Sequence, residues 1–263
     1  MTAGPEAGLG FCMEAIGLRD VRLKCDLANS LRARPWSYGT RGSVIHSSYV
    51  AILVLLSFFT FFTFGKHSGA RADTPLKIVA FGDSLTAGYG LPAKDAFPAK
   101  LERALKAKGV NIEIENAGVS GDTSSGGLSR LDWSIPDGTD GVILELGAND
   151  MLRGVDPAVT KKSLDAILAK LKERNIAVLL CGMKAAPNMG ATYADAFDVL
   201  FEELAKKYDT VFYPFFLEGV AAQAKFALRD GVHPNAAGVD AIVLGILPKA
   251  EELIARIRKR RGS

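Results

Sequence analysis

The chain has 263 residues, of which 48% are apolar and 23% are charged, and its formal net charge is +3. This composition is typical of a globular protein with one sizeable core, and it excludes a disordered or low-complexity chain. The first 72 residues hold 8 of the 32 basic and 4 of the 29 acidic residues, so residues 73–263 carry 24 and 25, a net charge near −1. The charge of this larger part gives no reason to expect a nucleic acid as partner.

An uncharged apolar segment precedes the larger part of the chain. Residues 50–64 contain no charged side chain, several arginines come before them, and Ala70-Arg-Ala72 follows. A basic flank, an apolar core and a small-x-small triplet predict a leader, residues 1–72, that ends in a secretory signal peptide cleaved after Ala72. The apolar core is shorter than the roughly 20 residues that span a bilayer, which favours cleavage over the alternative of a retained membrane anchor.

The part that follows the leader is exported under both alternatives, because basic residues on the N-terminal side keep that end in the cytoplasm. We therefore expect residues 73–263 to form a single domain outside the cytoplasm, in the periplasm once the leader is removed. Beyond residue 72 the chain holds one cysteine, Cys181, and one histidine, His233. These counts exclude an intrachain disulfide and a cysteine-based metal site in that part, and we expect no metal and no cofactor.

Short runs rich in valine and isoleucine alternate with segments of helical period. The runs predict five buried strands, at residues 78–81, 110–114, 141–146, 176–181 and 211–213. The helical segments lie near residues 97–105, 163–171, 196–208 and 235–260, and Pro248 is expected to kink or interrupt the last one. This alternation predicts an α/β fold, a three-layer α/β/α sandwich around a parallel five-stranded sheet.

Small polar clusters follow the predicted strands. They are Gly82-Asp-Ser84, Asn116-Ala-Gly-Val-Ser-Gly-Asp122, Gly147-Ala-Asn-Asp150 and, before the last helix, Asp230-Gly-Val-His-Pro234. Ligands of such sheets bind beyond the carboxyl ends of the strands, so we expect these clusters to meet at one edge. Taken singly, each cluster is also compatible with a turn or a helix cap.

Together the clusters supply the groups that acyl transfer requires. Ser84 is the candidate nucleophile, His233 the base that activates it, and Asp230 the carboxylate that fixes the imidazole tautomer. The oxyanion of the tetrahedral intermediate needs hydrogen-bond donors, and the candidates are the N–H groups of Ser84 and Gly118 and the side-chain amide of Asn149.

The four clusters resemble the motif blocks of the GDSL, or SGNH, hydrolases, and most closely a bacterial periplasmic branch of thioesterases, lysophospholipases and arylesterases. The resemblance covers residues 76–255 and implies a flavodoxin-like fold and an acyl-enzyme mechanism, with Ser84, Asp230 and His233 as catalytic residues. It implies hydrolysis of small-molecule aryl esters, acyl-thioesters or lysophospholipids, without a cofactor. It also implies a substrate-facing loop that contains Pro187 and Tyr193.

Leu85 and Leu152 stand beside the motif residues and are the other candidate substrate contacts. Their apolar side chains favour acyl chains over sugars, but a carbohydrate O-deacetylase of the same fold stays an alternative. A second alternative is a non-enzymatic, anion-binding flavodoxin-like module in which Ser84 and Thr86 cradle an anion. That module would leave Asn149 unexplained, and the chain has no Gly-Lys-Ser/Thr loop. Acyl-chain length, leaving group, transient contact with lipid and oligomeric state are left open by the sequence.

Overall fold

The computed structural model describes residues 74–262. The predicted leader, with its apolar core 50–64 and the cleavage after Ala72, lies outside the described residues. Among the residues described, no helix is both long and apolar enough to cross a membrane.

Five strands form one sheet in which every neighbouring pair is parallel. They are β1 (Leu76–Gly82), β2 (Ile112–Gly118), β3 (Gly141–Glu145), β4 (Ala177–Cys181) and β5 (Val211–Tyr213), in the order β2-β1-β3-β4-β5. This is the flavodoxin-like order, and it confirms the predicted fold class. The strand order reverses at β1, so a crevice opens beside the end of this strand.

Strand β2 differs most from its prediction, because it continues to Gly118 instead of ending at Ile114. The two glutamates in its sequence, Glu113 and Glu115, are exposed and alternate with buried isoleucines. β2 is an edge strand of the sheet, so one of its faces and one of its sides are accessible to water. Because these charged residues interrupt the apolar run, the predicted strand ends earlier than the observed one.

Seven helices belong to the part of the chain that the structure describes. They are α1 (Ser84–Ala87), α2 (Phe97–Ala107), α3 (Ser124–Ser134), α4 (Ala148–Leu152), α5 (Pro157–Glu173), α6 (Ala191–Tyr208) and α7 (Ala236–Arg261). Helices α2 and α7 pack against each other, and α5 packs between α3 and α6, so the sheet is covered on both faces. Three short 3₁₀ turns complete the connections, at Ala93–Asp95, Pro187–Met189 and Ala224–Phe226.

The last helix runs through Pro248 without interruption, so of the two expected effects, a kink or an interruption, the interruption does not occur. Proline removes the hydrogen bond to the carbonyl four residues earlier, here that of Leu244. The side chain of Leu244 is 74% exposed, so this face of α7 meets solvent and water can satisfy the carbonyl. The apolar face of the same helix, which includes Leu253 and Ile257, is buried against the sheet and holds the helix in place.

Candidate active site

The segments that follow β1, β2 and β3 meet the segment before α7 at the carboxyl edge of the sheet. Ser84, Asn149 and His233 line one cleft there, with a volume of about 390 Å³. A cleft of this size accommodates a small acyl or aryl group together with part of its leaving group.

A hydrogen-bonded line joins the three predicted catalytic residues. His233 Nε2 lies 3.0 Å from Ser84 Oγ, and His233 Nδ1 lies 2.7 Å from Asp230 Oδ2. In the neutral imidazole the Nδ1–H donates to the carboxylate, which leaves the Nε2 lone pair free to accept from the serine hydroxyl. Ser84 is 8% exposed, so its hydroxyl is shielded from bulk water on most sides.

A tight turn fixes Asp230 relative to His233. Asp230 Oδ1 accepts from the backbone N–H groups of Val232 (2.9 Å) and His233 (3.0 Å), while Oδ2 remains for the imidazole. The backbone N–H of His233, that of Val232 and the imidazole all favour the ionised form, and they lower the pKa of Asp230 to about 2. The carboxylate therefore stays charged over the whole pH range in which a histidine base works.

The start of α1 presents Ser84. Asp83 is the N-cap of this helix, and its Oδ1 accepts from the backbone N–H of Leu85 at 2.9 Å. The first N–H groups of a helix have no partner inside the helix, and the N–H of Ser84, a residue that lines the cleft, has no acceptor among the described residues. The candidate nucleophile and a candidate oxyanion donor thus come from the same residue.

Asn149 at the start of α4 is the second candidate donor. Its Nδ2 donates to Asp83 Oδ2 at 2.9 Å, which fixes the orientation of the amide. An amide NH₂ carries two hydrogens, so one remains for a substrate oxygen in the cleft that Asn149 lines. Burial raises the pKa of Asp83 to about 6, although the hydrogen bonds from Leu85 and Asn149 act in the opposite direction.

Gly118, the glycine predicted for the oxyanion hole, does not line the cleft. It is the last residue of β2, its N–H donates to Asn116 Oδ1 at 3.0 Å, and a Cβ at this position would overlap the backbone nitrogen of Ala87. Glycine is therefore required at position 118, because α1 approaches β2 closely there.

Gly121, three residues later, does line the cleft, adopts a φ of +82°, and has no acceptor for its N–H among the described residues.

A buried arginine holds the loop that carries Gly121. Arg130 Nε donates to Asp122 Oδ2 at 2.7 Å, and its other nitrogens donate to the carbonyls of Ala117 and Gly82, each at 2.9 Å. The guanidinium thus joins the ends of β1 and β2 to the residue that follows Gly121. Its five fixed donors suit this geometry, which the single ammonium of a lysine could not reproduce.

The structure separates the predicted substrate contacts into two groups. Leu85 and Leu152 line the cleft. Pro187 and Tyr193 do not: Pro187 is exposed, and the Tyr193 hydroxyl donates to the carbonyl of Val155 at 2.9 Å while its ring stacks on Phe197. Tyr193 therefore supports the loop that follows α4, where Leu152 ends the helix.

Sequence reasoning missed Tyr89, whose ring lies against the imidazole of His233. Tyr89 is 51% exposed and lines the cleft, as do Met151, Leu217 and Val232. No motif marks an aromatic residue that follows a four-residue helix. Among the described residues no group of three or more histidine, cysteine, aspartate or glutamate side chains could hold a metal ion.

Comparisons with known proteins identify the family. The family model described as GDSL-like Lipase/Acylhydrolase family matches residues 80–241. An arylesterase of Vibrio mimicus is 36% identical over 182 residues, which are 69% of this chain and 89% of the relative. A thioesterase 1/protease 1/lysophospholipase L1 of Escherichia coli (strain K12) is 38% identical over 184 residues, which are 70% of this chain and 81% of that protein.

A solved structure agrees with these relatives. AlinE4, an SGNH-hydrolase family esterase, is 45% identical, with a TM-score of 0.59 over 70% of this chain and 98% of its own. The resemblance drawn from the four motif clusters is therefore confirmed. The chain belongs to the GDSL-like lipase/acylhydrolase family and is an ester hydrolase.

Proposed function

We propose that this hydrolase cleaves carboxylic esters and thioesters with Ser84 as the nucleophile, through an acyl-enzyme intermediate. The observation that carries the proposal is the line of hydrogen bonds from Ser84 Oγ through both nitrogens of His233 to the Asp230 carboxylate. A serine hydroxyl is a weak nucleophile until a neighbouring base takes its proton, and His233 is that base.

In the first half of the reaction, Ser84 Oγ attacks the carbonyl carbon and its proton moves to His233 Nε2. The Asp230 carboxylate stabilises the resulting imidazolium and keeps Nε2 directed at the substrate. The carbonyl π electrons move to the oxygen, which becomes the oxyanion. When the intermediate collapses, the bond to the leaving oxygen or sulfur breaks, and the leaving group takes the proton from Nε2.

In the second half, water attacks the acyl-enzyme while Nε2 takes its proton. The bond to Ser84 Oγ then breaks, the serine regains a proton from the imidazolium, and the carboxylic acid leaves. The oxyanion of both intermediates is bound by the N–H of Ser84, the N–H of Gly121 and the free amide hydrogen of Asn149. We assign Gly121 this role in place of Gly118, because Gly121 lines the cleft and its N–H has no acceptor among the described residues.

The substrates proposed are small esters with an apolar acyl or aryl group, including acyl-thioesters and lysophospholipids. The cleft supports this assignment, since seven apolar side chains line it: Leu85, Tyr89, Ala148, Met151, Leu152, Leu217 and Val232. Three of them are more than half exposed at the rim, namely Tyr89 (51%), Leu152 (58%) and Val232 (54%), which supports transient contact with lipid during turnover.

A serine-directed fluorophosphonate tests the nucleophile. Mass spectrometry of the labelled, digested protein should place the phosphonyl group on Ser84, and labelling of Ser84→Ala at that peptide should be absent. His233→Ala should be folded but labelled at least about 100-fold more slowly, because the hydroxyl keeps its proton. Labelling of His233→Ala within tenfold of the wild-type rate would overturn the proposal.

Graded substrates test the acyl class. p-Nitrophenyl esters and acyl-thioesters from acetyl to dodecanoyl should give a kcat/KM that rises with chain length before it levels off. Lysophospholipid should be hydrolysed as well, and faster above its micellar concentration than below it if the rim contacts lipid. Acetylated oligosaccharides turned over faster than every acyl ester would instead establish the carbohydrate O-deacetylase alternative.

We further propose export of residues 73–263, on the support of the apolar run 50–64 and of Ala70-Arg-Ala72. N-terminal sequencing of protein recovered from the cell envelope should begin at Asp73. Recovery of the full-length chain from the cytosol would refute export, and recovery of the full-length chain from membranes would establish the anchored alternative.

A further inference from the structure

Two buried carboxyl groups lie next to Ser84 and take no part in the proton transfers above. Asp83 and Glu145 are both 0% exposed. Glu145 Oε2 accepts from the N–H of Asp83 at 3.3 Å and from Thr86 Oγ1 at 2.7 Å. Among the described residues, no lysine, arginine or histidine forms an ion pair with either carboxyl group.

The other oxygen of Glu145 is unsatisfied as an acceptor. Oε1 is buried, and no donor reaches it among the described residues. Two adjacent carboxylates without a counter-ion cannot both be ionised in a low-dielectric interior. Burial and the charge of Asp83 accordingly hold the pKa of Glu145 well above its ordinary value. A proton on this carboxyl group removes its charge and makes it a donor, and Asp83 is the neighbouring carboxyl group with which Glu145 interacts.

Gly82 makes room for this carboxyl group. A Cβ at residue 82 would lie 2.6 Å from Glu145 Oε2 and would overlap the hydroxyl of Thr86. The backbone of Gly82 has an ordinary φ, so its conformation alone does not require glycine. The space is occupied by the Thr86 hydroxyl, by the Glu145 carboxyl group and by the backbone carbonyl of Glu145, so glycine is required at position 82.

Asp83 links Glu145 to Asn149, the proposed oxyanion donor. With the proton on Glu145, Asp83 is the ionised partner, and its two oxygens accept from Leu85 N–H and Asn149 Nδ2. An ionised acceptor gives shorter and stronger hydrogen bonds than a neutral one. The direction of the Asn149 amide therefore depends on where Asp83 is held and on its charge.

We propose that Glu145 is a positioning residue: its protonated carboxyl group holds Asp83 in place, and Asp83 in turn aims the free amide hydrogen of Asn149 at the substrate oxygen. This inference rests on the proposed oxyanion role of Asn149. Glu145 touches neither substrate nor reacting atoms, so it acts through the amide alone. The loss of kcat that follows its removal is therefore bounded by the loss that follows removal of Asn149, about 10²–10³-fold for a single oxyanion donor.

Paired substitutions test the protonation state. Glu145→Leu keeps the volume but removes donor and acceptor, and we expect kcat to fall about 10-fold or more with KM nearly unchanged. Glu145→Gln resembles the neutral acid, since it accepts from Thr86 and donates towards Asp83, and it should restore most of that loss. A Glu145→Gln variant as impaired as Glu145→Leu would show that a negative charge at 145 is required and would overturn the inference.

A double-mutant cycle tests the route through Asn149. In an Asn149→Ala background, Glu145→Leu should have almost no further effect on kcat, because the group it positions is absent. An undiminished effect in that background would overturn the inference while leaving the proposed function intact. If Asn149→Ala itself changed kcat less than threefold, the oxyanion role of Asn149 would fail, and the inference with it.

Infrared spectroscopy of the wild-type protein gives a readout that does not depend on activity or on the folding of Glu145→Leu. At neutral pH the spectrum should contain the carbonyl band of a neutral, buried carboxylic acid, and this band should be absent from Glu145→Gln. A wild-type spectrum without it, or a band that persists in Glu145→Gln, would overturn the inference.

Discussion

The ring of Tyr89 lies 4.4 Å from the imidazole of His233, centroid to centroid, with the two planes tilted by 33°. The imidazole of His233 is also hydrogen-bonded to Asp230 and to Ser84, and the ring contact restricts its rotation further. Aromatic pairs contribute about 0.5–1.5 kcal/mol, which corresponds to about 3–10-fold in rate if the contact persists in the transition state. We expect Tyr89→Ala to lower kcat by that factor and Tyr89→Phe to retain kcat within about twofold. Equal losses in the two variants would assign the effect to the phenol hydroxyl instead.

Substitution of Gly121 is expected to lower kcat, whereas substitution of Gly118 is expected to lower stability. Gly121→Ala should fold and lose at least about tenfold in kcat, because alanine disfavours the φ of +82° at this position and a changed backbone would displace the proposed donor N–H. Gly118→Ala should mainly lower Tm, because its Cβ overlaps the backbone of α1. Gly109→Ala is the matched control, since Gly109 has the same φ within 1° and no atom within 4 Å of a new Cβ. Activity of Gly121→Ala equal to that of the Gly109→Ala control would exclude Gly121 from the oxyanion hole.

Leu152 is expected to select for longer acyl chains. Its side chain is 58% exposed at the rim of the cleft, where a bound chain would cover it. Each buried methylene is worth about 0.8 kcal/mol, or about fourfold in kcat/KM. Leu152→Ala should therefore lower kcat/KM about 3–10-fold for octanoyl esters and hardly change it for acetyl esters. Leu244→Ala, an exposed leucine on α7, should change neither, and a uniform loss for both substrates in Leu152→Ala would contradict the assignment.

Asp83 is expected to make stability depend on pH. Its pKa rises from 3.8 to about 6 on folding, and burial is the largest cause of this rise. The folded protein therefore binds this proton more tightly than the unfolded chain does. The contribution of Asp83 to the free energy of unfolding therefore falls as pH rises from about 4 to about 6, by about 1.4 kcal/mol per pH unit at most. Asparagine does not titrate. The free energy of unfolding of the wild type, relative to that of Asp83→Asn, should therefore increase by about 1–3 kcal/mol when the pH is lowered from 7.5 to 4.5.

Urea unfolding of both proteins at the two pH values measures this difference, and groups common to both proteins cancel. Asp83 faces Glu145, Asn149 and, at longer range, the charge of His233. Burial, and after it the charge of Asp83, raise the pKa of Glu145 as well, and Glu145 is present in both proteins. A difference that does not vary with pH would mean that Asp83 is already ionised at pH 4.5 in the folded protein.

The sheet was predictable because its strands are buried and rich in valine and isoleucine. That Ser84, His233 and Asp230 meet was predictable because their residue types and their order along the chain match one chemistry. The presence of Gly121 in the cleft, in place of Gly118, was not. The exposed Glu113 and Glu115 interrupt the apolar run, so the pattern predicts a strand that ends at Ile114. Gly118 was therefore placed in the following loop, whereas it is the last residue of β2, and it was predicted as a donor instead of Gly121.

Other features depend on contacts that no local pattern encodes. Helix α3 begins Ser-Ser-Gly-Gly, a poor helical sequence, and forms because Thr123 caps it and Gly127 packs closely on Leu146 and Phe81. The contact of Tyr89 with His233 joins residues far apart in sequence. Glu145 looks like the end of a strand, and only its burial next to Asp83 shows that it belongs to the site.

The catalytic line joins the two ends of the described chain. Ser84 Oγ and His233 Nε2 are 149 positions apart in sequence, and Arg261 at the end of α7 reaches back to the carbonyls of Thr74 and Pro75. A fragment that ends before residue 230 would contain Ser84, Gly121 and Asn149 but not His233. Under the proposed mechanism, hydrolysis requires that the last segment has joined the first, so recovery of turnover during refolding should report completion of the whole domain rather than formation of its secondary structure.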